Sequence, residues 1–354
     1  MSGGYVLRRL LVAVALLFAL ASITFWVNQA LNYDPGRYLL GDLQHPTNEQ
    51  IREANELLGV DKSSLAQYGD FLAGVVRGDL GISWATARRD RAEGVVGEEV
   101  GPIVLRATGV TGSLVLGGMA LLLLAVVPGG TLLAARADSW VDRTALLLAL
   151  AAISTHPLVL GNLLQLVFGE RLGWVPEGGY CPLLTTAPTD PSSGLECDGP
   201  ADWAAHLVLP WISFTALLLA LHLRQMRASA LTVLAEPYVA VARAKGVPER
   251  DVLRQHVVPN ALPPVVTSVA TDIGAMLGVA LYVEVVFQLP GLGYLFLRAV
   301  QGTVGFDRPV IIGVVLVVGA AVIIGNLVAD LLVARIDPRV RLGARGERVL
   351  GSVD

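Results

Sequence analysis

Long apolar runs, separated by shorter polar stretches, set the rhythm of this sequence. They lie at Leu10 to Ala30, about Leu105 to Ala135, Thr144 to Phe168, His206 to Leu223, Val265 to Leu289 and Pro309 to Ala334. As a helix the first is about 31 Å long, enough to cross the hydrocarbon core of a bilayer. The pattern predicts an all-α integral membrane protein with six transmembrane helices. Arg8 and Arg9 stand where the charged start of a signal peptide would, but the run after them is long for one and no small-residue cleavage site follows. The fourth run is the weakest, being short and carrying His206, Pro210 and His222. If it did not cross, the C-terminal half would be inverted.

The polar stretches complete the division. Residues 1–31 read as a tail and first span, and 32–104 as an extramembranous domain in which Thr47 and Gln50 have capping-box spacing at the start of a helix to Leu58. Residues 105–334 form a five-helix core that contains a loop at 169–205 and another at 224–262, and 335–354 form a tail. Within the second loop, Glu236 to Pro264 is a basic interruption built as two short helices. Arg243 and Lys245 suit a last turn, Gly246 its cap, and Pro248, Glu249 and Asp251 the next first turn. Tyr238, Val241, Ala242 and Lys245 recur at helical spacing and give that first helix a small apolar face.

Composition agrees with the pattern. The chain is 54% hydrophobic and only 16% charged, with mean hydropathy +0.61, too apolar for an ordinary soluble domain. A net charge of −4 argues against nucleic acid as a partner. The positions of the basic residues carry more information. Arg8, Arg9, Arg136, Arg143, Arg224, Arg227, Arg243, Lys245, Arg250, Arg254 and the tail from Arg335 to Arg348 fall on one side of a six-span chain. The short loops opposite hold only Arg171, Arg298 and Arg308, so both termini are expected in the cytoplasm. Cys181 and Cys197 then share an exoplasmic loop, where a disulfide is permitted; two free thiols is the other reading. Two cysteines cannot build a thiolate metal cluster, and no metal site is expected. No G-x-x-x-x-G-K-[ST], H-E-x-x-H or nucleophile elbow occurs, so neither ATP binding nor hydrolysis is assigned to this chain. The pairs Gly117-Gly118 and Gly129-Gly130 suit close helix packing in lipid.

Several motifs carry a family resemblance. Tyr238 to Gly246, nine further residues, then His256 to Pro259 resembles the EAA motif of binding-protein-dependent ABC importers. Ala240 stands where that motif has Glu, His256 where it has Ile, and Val258 where it has Leu. Gly78 to Ser83, Leu172 to Pro176, Val283 to Gly293 and Asp330 to Arg339 resemble segments of the dipeptide, oligopeptide and nickel importer permeases, so the likeness runs along nearly the whole chain. The long first loop is similar to that of the first of two paired permeases, whereas the stretch from Cys181 to Asp202 is not part of the pattern.

The resemblance implies a type I ABC importer permease fold and a non-catalytic subunit. It implies as partners a second permease, two ABC ATPase subunits that bind ATP and magnesium, an extracellular solute-binding protein, membrane lipid and a peptide substrate, with nickel or another small solute as the alternative. Tyr238, Ala240, Ala242, Arg243, Lys245, Gly246 and Pro259 would form the ATPase-coupling contact, which without the motif's Glu depends on small-residue shape and on Arg243 or Lys245.

Ionisable residues inside spans are costly and face a cavity or a partner. Asp272 and Glu284 lie twelve residues apart on one expected helix, about 18 Å, on related faces. Glu284 has two readings: contact with a peptide amino terminus, or a bond to the turn at Pro290. Asp272 and His156 are further pathway candidates, the latter because His156-Pro157 marks a kink. Asp330 is read with Arg335 as a local pair, and His222 as bonding or reaching the membrane edge. A gradient-driven secondary transporter using Asp272 and Glu284 is the reading of a different class.

Overall fold

The computed structural model describes residues 3–30, 40, 47–57, 61–86, 97–183, 197, 199–301 and 306–336. The coupling-motif residues, Cys181 and Cys197 all fall within these; the tail after residue 336 lies outside them. The helices are α1 (Gly3–Ala30), α2 (Asn48–Leu57), α3 (Ser64–Arg77), α4 (Val100–Ala135), α5 (Trp140–Ser154), α6 (Pro157–Leu164), α7 (Pro200–Leu234), α8 (Pro237–Ala244), α9 (Val258–Thr271), α10 (Ile273–Val286), α11 (Leu292–Gln301) and α12 (Arg308–Ile336). Among the described residues the only β pairing is an isolated bridge between Ile82 and Glu99.

The chain divides into two compact units, one of Met1–Leu10, Ser113–Leu289 and Ile324–Asp354, the other of Leu11–Gly112 and Pro290–Ile323. The second unit has a core of Val100, Val104 and Ala107 from α4, Leu292 and Ala299 from α11, and Val310, Ile311 and Val314 from α12. Phe25 and Trp26 of α1 pack their rings on Tyr68, and Phe25 also on Phe71, which holds α3 against the first helix. Thr47 and Gln50 make the capping box: the Gln50 side-chain Oε1 accepts from the Thr47 N–H at 2.9 Å, and the Thr47 hydroxyl accepts from the Gln50 backbone N–H at 3.3 Å. Asp307, just before α12, is buried and accepts from the Ser83 hydroxyl at 2.6 Å and from the Trp84 and Ala85 N–H groups at 3.2 and 3.1 Å. That carboxylate pins the GDLGISW segment to the head of α12.

The first unit is built on α7, against which α5, α6, α9 and α10 pack. Glycines on α4 let α7 approach closely. A Cβ added at Gly117 would come 2.2 Å from Trp211, one at Gly118 2.5 Å from Phe214, and one at Gly130 2.6 Å from Met226. The segment expected to be the weakest span is therefore the best packed. α7 is 35 residues long, and His206, Pro210 and His222 are all buried in it. Hydropathy scores a helix as if it faced lipid. One surrounded by protein keeps polar groups that find partners, as Thr215 does on the Gly118 carbonyl at 3.1 Å and His206 on the Asp202 carbonyl at 2.8 Å. Burial of His222 also rules out the expectation that its side chain reaches out to solvent.

Among the described residues four helices, α1, α4, α7 and α12, are long and apolar enough to cross a membrane. The third and fifth expected spans are each broken. α5 and α6, with the π-helical Gln165–Arg171 that continues α6, meet at 107°, and the run Glu249–Thr271 meets α10 at 61°. The kink expected at His156-Pro157 is a full stop and restart. Proline pushes the residue before it out of the helical region, and His156 sits at φ −61°, ψ 138°, with Nδ1 accepting the Leu158 N–H at 3.3 Å as the cap of α6. The expected placement of Asp272 and Glu284 on one continuous helix also fails, because Asp272 (φ −85°, ψ 9°), with no proline after it, is the break itself.

Candidate coupling element

α8 opens with Pro237 in its first turn, after Glu236 in extended conformation. Its end is a Schellman motif: the Val247 N–H donates to the Ala242 carbonyl at 3.3 Å and the Gly246 N–H to the Arg243 carbonyl at 2.9 Å. Gly246 has φ +79°, and a Cβ there would meet nothing within 4 Å. The glycine is needed for its backbone and not for space. Across the turn the Arg243 guanidinium donates to both oxygens of Glu249, at 3.0 and 2.6 Å, and these bonds push its pKa up from the ordinary value.

The row set by helical spacing is split between buried and exposed positions. Val239 and Ala242 are buried, while Tyr238, Ala240, Val241, Arg243, Lys245 and Gly246 are exposed. Ala242, one of the residues expected in the coupling contact, packs inward. Tyr238, Val241 and Lys245 remain as one exposed row.

The second of the two expected short helices is not short. From Glu249 the chain runs helically through Glu249–Asp251, a π-helical Val252–Val257 and α9. Pro259, exposed in the first turn of α9, lacks the N–H an α-helix would use there, and the widened turn immediately before it absorbs the loss. The polar interruption is consequently continuous with the span that follows it.

Two polar contacts flank this element on α7. The Arg227 guanidinium grips Asp142, the third residue of α5, with Nε to Oδ1 at 2.7 Å and Nη2 to Oδ2 at 2.6 Å. His222 Nε2 lies 3.6 Å from Asp272 Oδ2 at the break between α9 and α10. Sequence reasoning overlooked the first pair, although Ser139, whose hydroxyl accepts the Asp142 N–H at 3.3 Å, is a readable cap signal for α5. Glu284 is fully buried in α10, and His156 stands with its ring 5.6 Å from that of Tyr282. Asp272 lies at the break before α10, Glu284 within α10, and His156 against Tyr282 of that same helix. Asp330 pairs with Arg9 at 2.6 Å; the expected local pair with Arg335 involves a side chain outside the described residues. Cys181 and Cys197 form a disulfide with their Cα atoms 5.6 Å apart. Just before it the Gly179 N–H donates to the Phe287 carbonyl at 2.9 Å, at the end of α10.

Comparison with known proteins gives this arrangement a context. Residues 126–342, which contain α5 to α12, match the model of the binding-protein-dependent transport system inner membrane component family. The chain belongs to that family. Residues 4–87 match the N-terminal model of the same transport-system membrane components. A protein named as a peptide permease in Brucella suis biovar 1 (strain 1330) is 36% identical over 338 residues, 96% of this chain and 99% of its own length. The glutathione transport system permease of Escherichia coli K12 is 32% identical over 337 residues, 95% and 98% of the two chains. The dipeptide transport system permease of Alkalihalophilus pseudofirmus is 30% identical over 344 residues, 95% and 99%. This inner membrane component is thus a multi-pass protein of the bacterial inner membrane with the all-α fold of type I ABC importer permeases.

Proposed function

We propose that the chain is one of two permease subunits of an ATP-driven importer that takes up di- or oligopeptides delivered by an extracellular binding protein. The observation that carries the solute class is the set of relatives: the three described above are named for a peptide, glutathione and a dipeptide, and each is matched along nearly its full length. In this reading the subunit performs no chemistry of its own. Two partner ATPases bind ATP and magnesium, and α8 docks on one of them through Tyr238, Val241 and Lys245, with Arg243 bracing the turn against Glu249. Both termini and α8 lie in the cytoplasm, in line with the positions of Lys and Arg. Residues 32–104 and the disulfide loop then lie outside, and the two breaks, at His156 and at Asp272, stand beside the pathway.

The experiment is uptake into proteoliposomes that hold this chain, its second permease and the ATPases, with binding protein added outside. Uptake of a labelled peptide that requires both ATP and the binding protein is expected. Uptake by this chain alone, driven by a proton or cation gradient, would overturn the proposal, and transport of nickel in place of peptide would overturn the solute class.

A further inference from the structure

The contact between Asp142 and Arg227 joins elements 85 residues apart in sequence. Arg227 lies about two turns before the end of α7 at Leu234, from which α8 follows almost at once. Its partner is held on every side. Both carboxylate oxygens take a guanidinium N–H, and Oδ2 also accepts the Asp138 N–H at 3.0 Å. The Asp142 side chain is 2% exposed and that of Arg227 21%. A forked contact of this kind fixes rotation as well as distance, whereas apolar side chains packed between two helices resist separation but permit sliding. The apolar contacts between α5 and α7, with Leu133 of α4, are of the second kind: Ala149 on Ala220 and Leu223.

We propose that Asp142 and Arg227 form a positioning clasp that makes α5 move together with α7 when α8 is displaced. The displacement then reaches the break at His156 instead of being lost as α7 slides along α5. Neither residue touches solute or nucleotide; both act through the helices they join. This rests on α8 being the docking point for the ATPase.

The test uses the reconstituted importer and reads peptide uptake and ATP hydrolysis in the same vesicles. A wild-type importer without ATP-dependent uptake would count against the proposed function and not against the clasp. Asp142→Leu combined with Arg227→Met replaces the pair by apolar groups of similar bulk, and so avoids the buried unpaired charge that either single substitution leaves. That variant is expected to retain its ATPase subunits and to hydrolyse ATP in response to binding protein, while uptake per ATP falls on the order of fivefold or more. Arg227→Lys keeps the charge but loses the fork, and should fall between. Wild-type uptake per ATP in the double variant would overturn the clasp. So would failure of both variants to assemble with the other subunits, which would make the pair a folding element.

Discussion

At Gly246 the demand on the residue is one of backbone angle alone, since φ is +79° and the space around it is open. Gly246→Val should weaken the end of α8 by about 1–2 kcal/mol, and Gly246→Asn by less, because Asn enters the left-handed region more readily. Uptake measured across Gly, Asn, Ala and Val at this position is expected to fall in that order. The glycine was legible because turn chemistry is local. The direction in which Ala242 points was not, because helical spacing defines a row without saying which side packs. Asp307 was missed for another reason: its partner Ser83 is 224 residues away, and no local signal reports that pairing. Asp307→Asn would set an amide donor among three donors, so a loss of about 1–3 kcal/mol is expected. Thermal unfolding of the purified subunit in detergent checks it.

At the scale of elements, the glycine faces of α4 give a paired prediction. Gly130→Val would drive carbon into Met226, where even a Cβ would lie 2.6 Å away, and overpacking of that kind costs about 1–3 kcal/mol. Gly109→Ala on the same helix meets nothing within 4 Å and should be neutral or stabilising, by up to about 1 kcal/mol. Melting curves of the two variants should therefore move in opposite directions or differ plainly in size. These faces could be read from the glycine doublets, whereas the two broken spans could not be read from hydropathy. A window average registers the apolar length of Val265 to Leu289 and is blind to the single residue, Asp272, at which the helix turns. His156-Pro157 was a readable break, but the size of the bend depends on what α6 packs against: Gly161 faces Val286 at a distance where a Cβ would lie 3.0 Å from its methyl carbon.

For the whole molecule, the all-α fold and the family were legible because both rest on patterns spread over most of the chain. The inward or outward direction of each helix was not, because lipid and protein interior are equally apolar. That is why the span judged weakest by composition is the one around which its unit is built. The disulfide offers a test at this scale. It closes a loop of sequence separation 16, and removing it with Cys181→Ser and Cys197→Ser should lower stability by roughly 3 kcal/mol in the chain-entropy model. ATPase co-purification should be unaffected if α8 alone makes that contact. The helical run from Glu249 to Thr271 carries one more consequence. It is on the order of 35 Å long and has the Arg243–Glu249 brace at one end and Asp272 at the other. Under the proposed docking at α8 such a run serves as a lever arm: a tilt of about 10° at the braced end would sweep the far end through about 6 Å. The amplitude of that motion at Asp272 would be set by the length of the arm, and inserting or deleting one helical turn within it would change the stroke without touching either end.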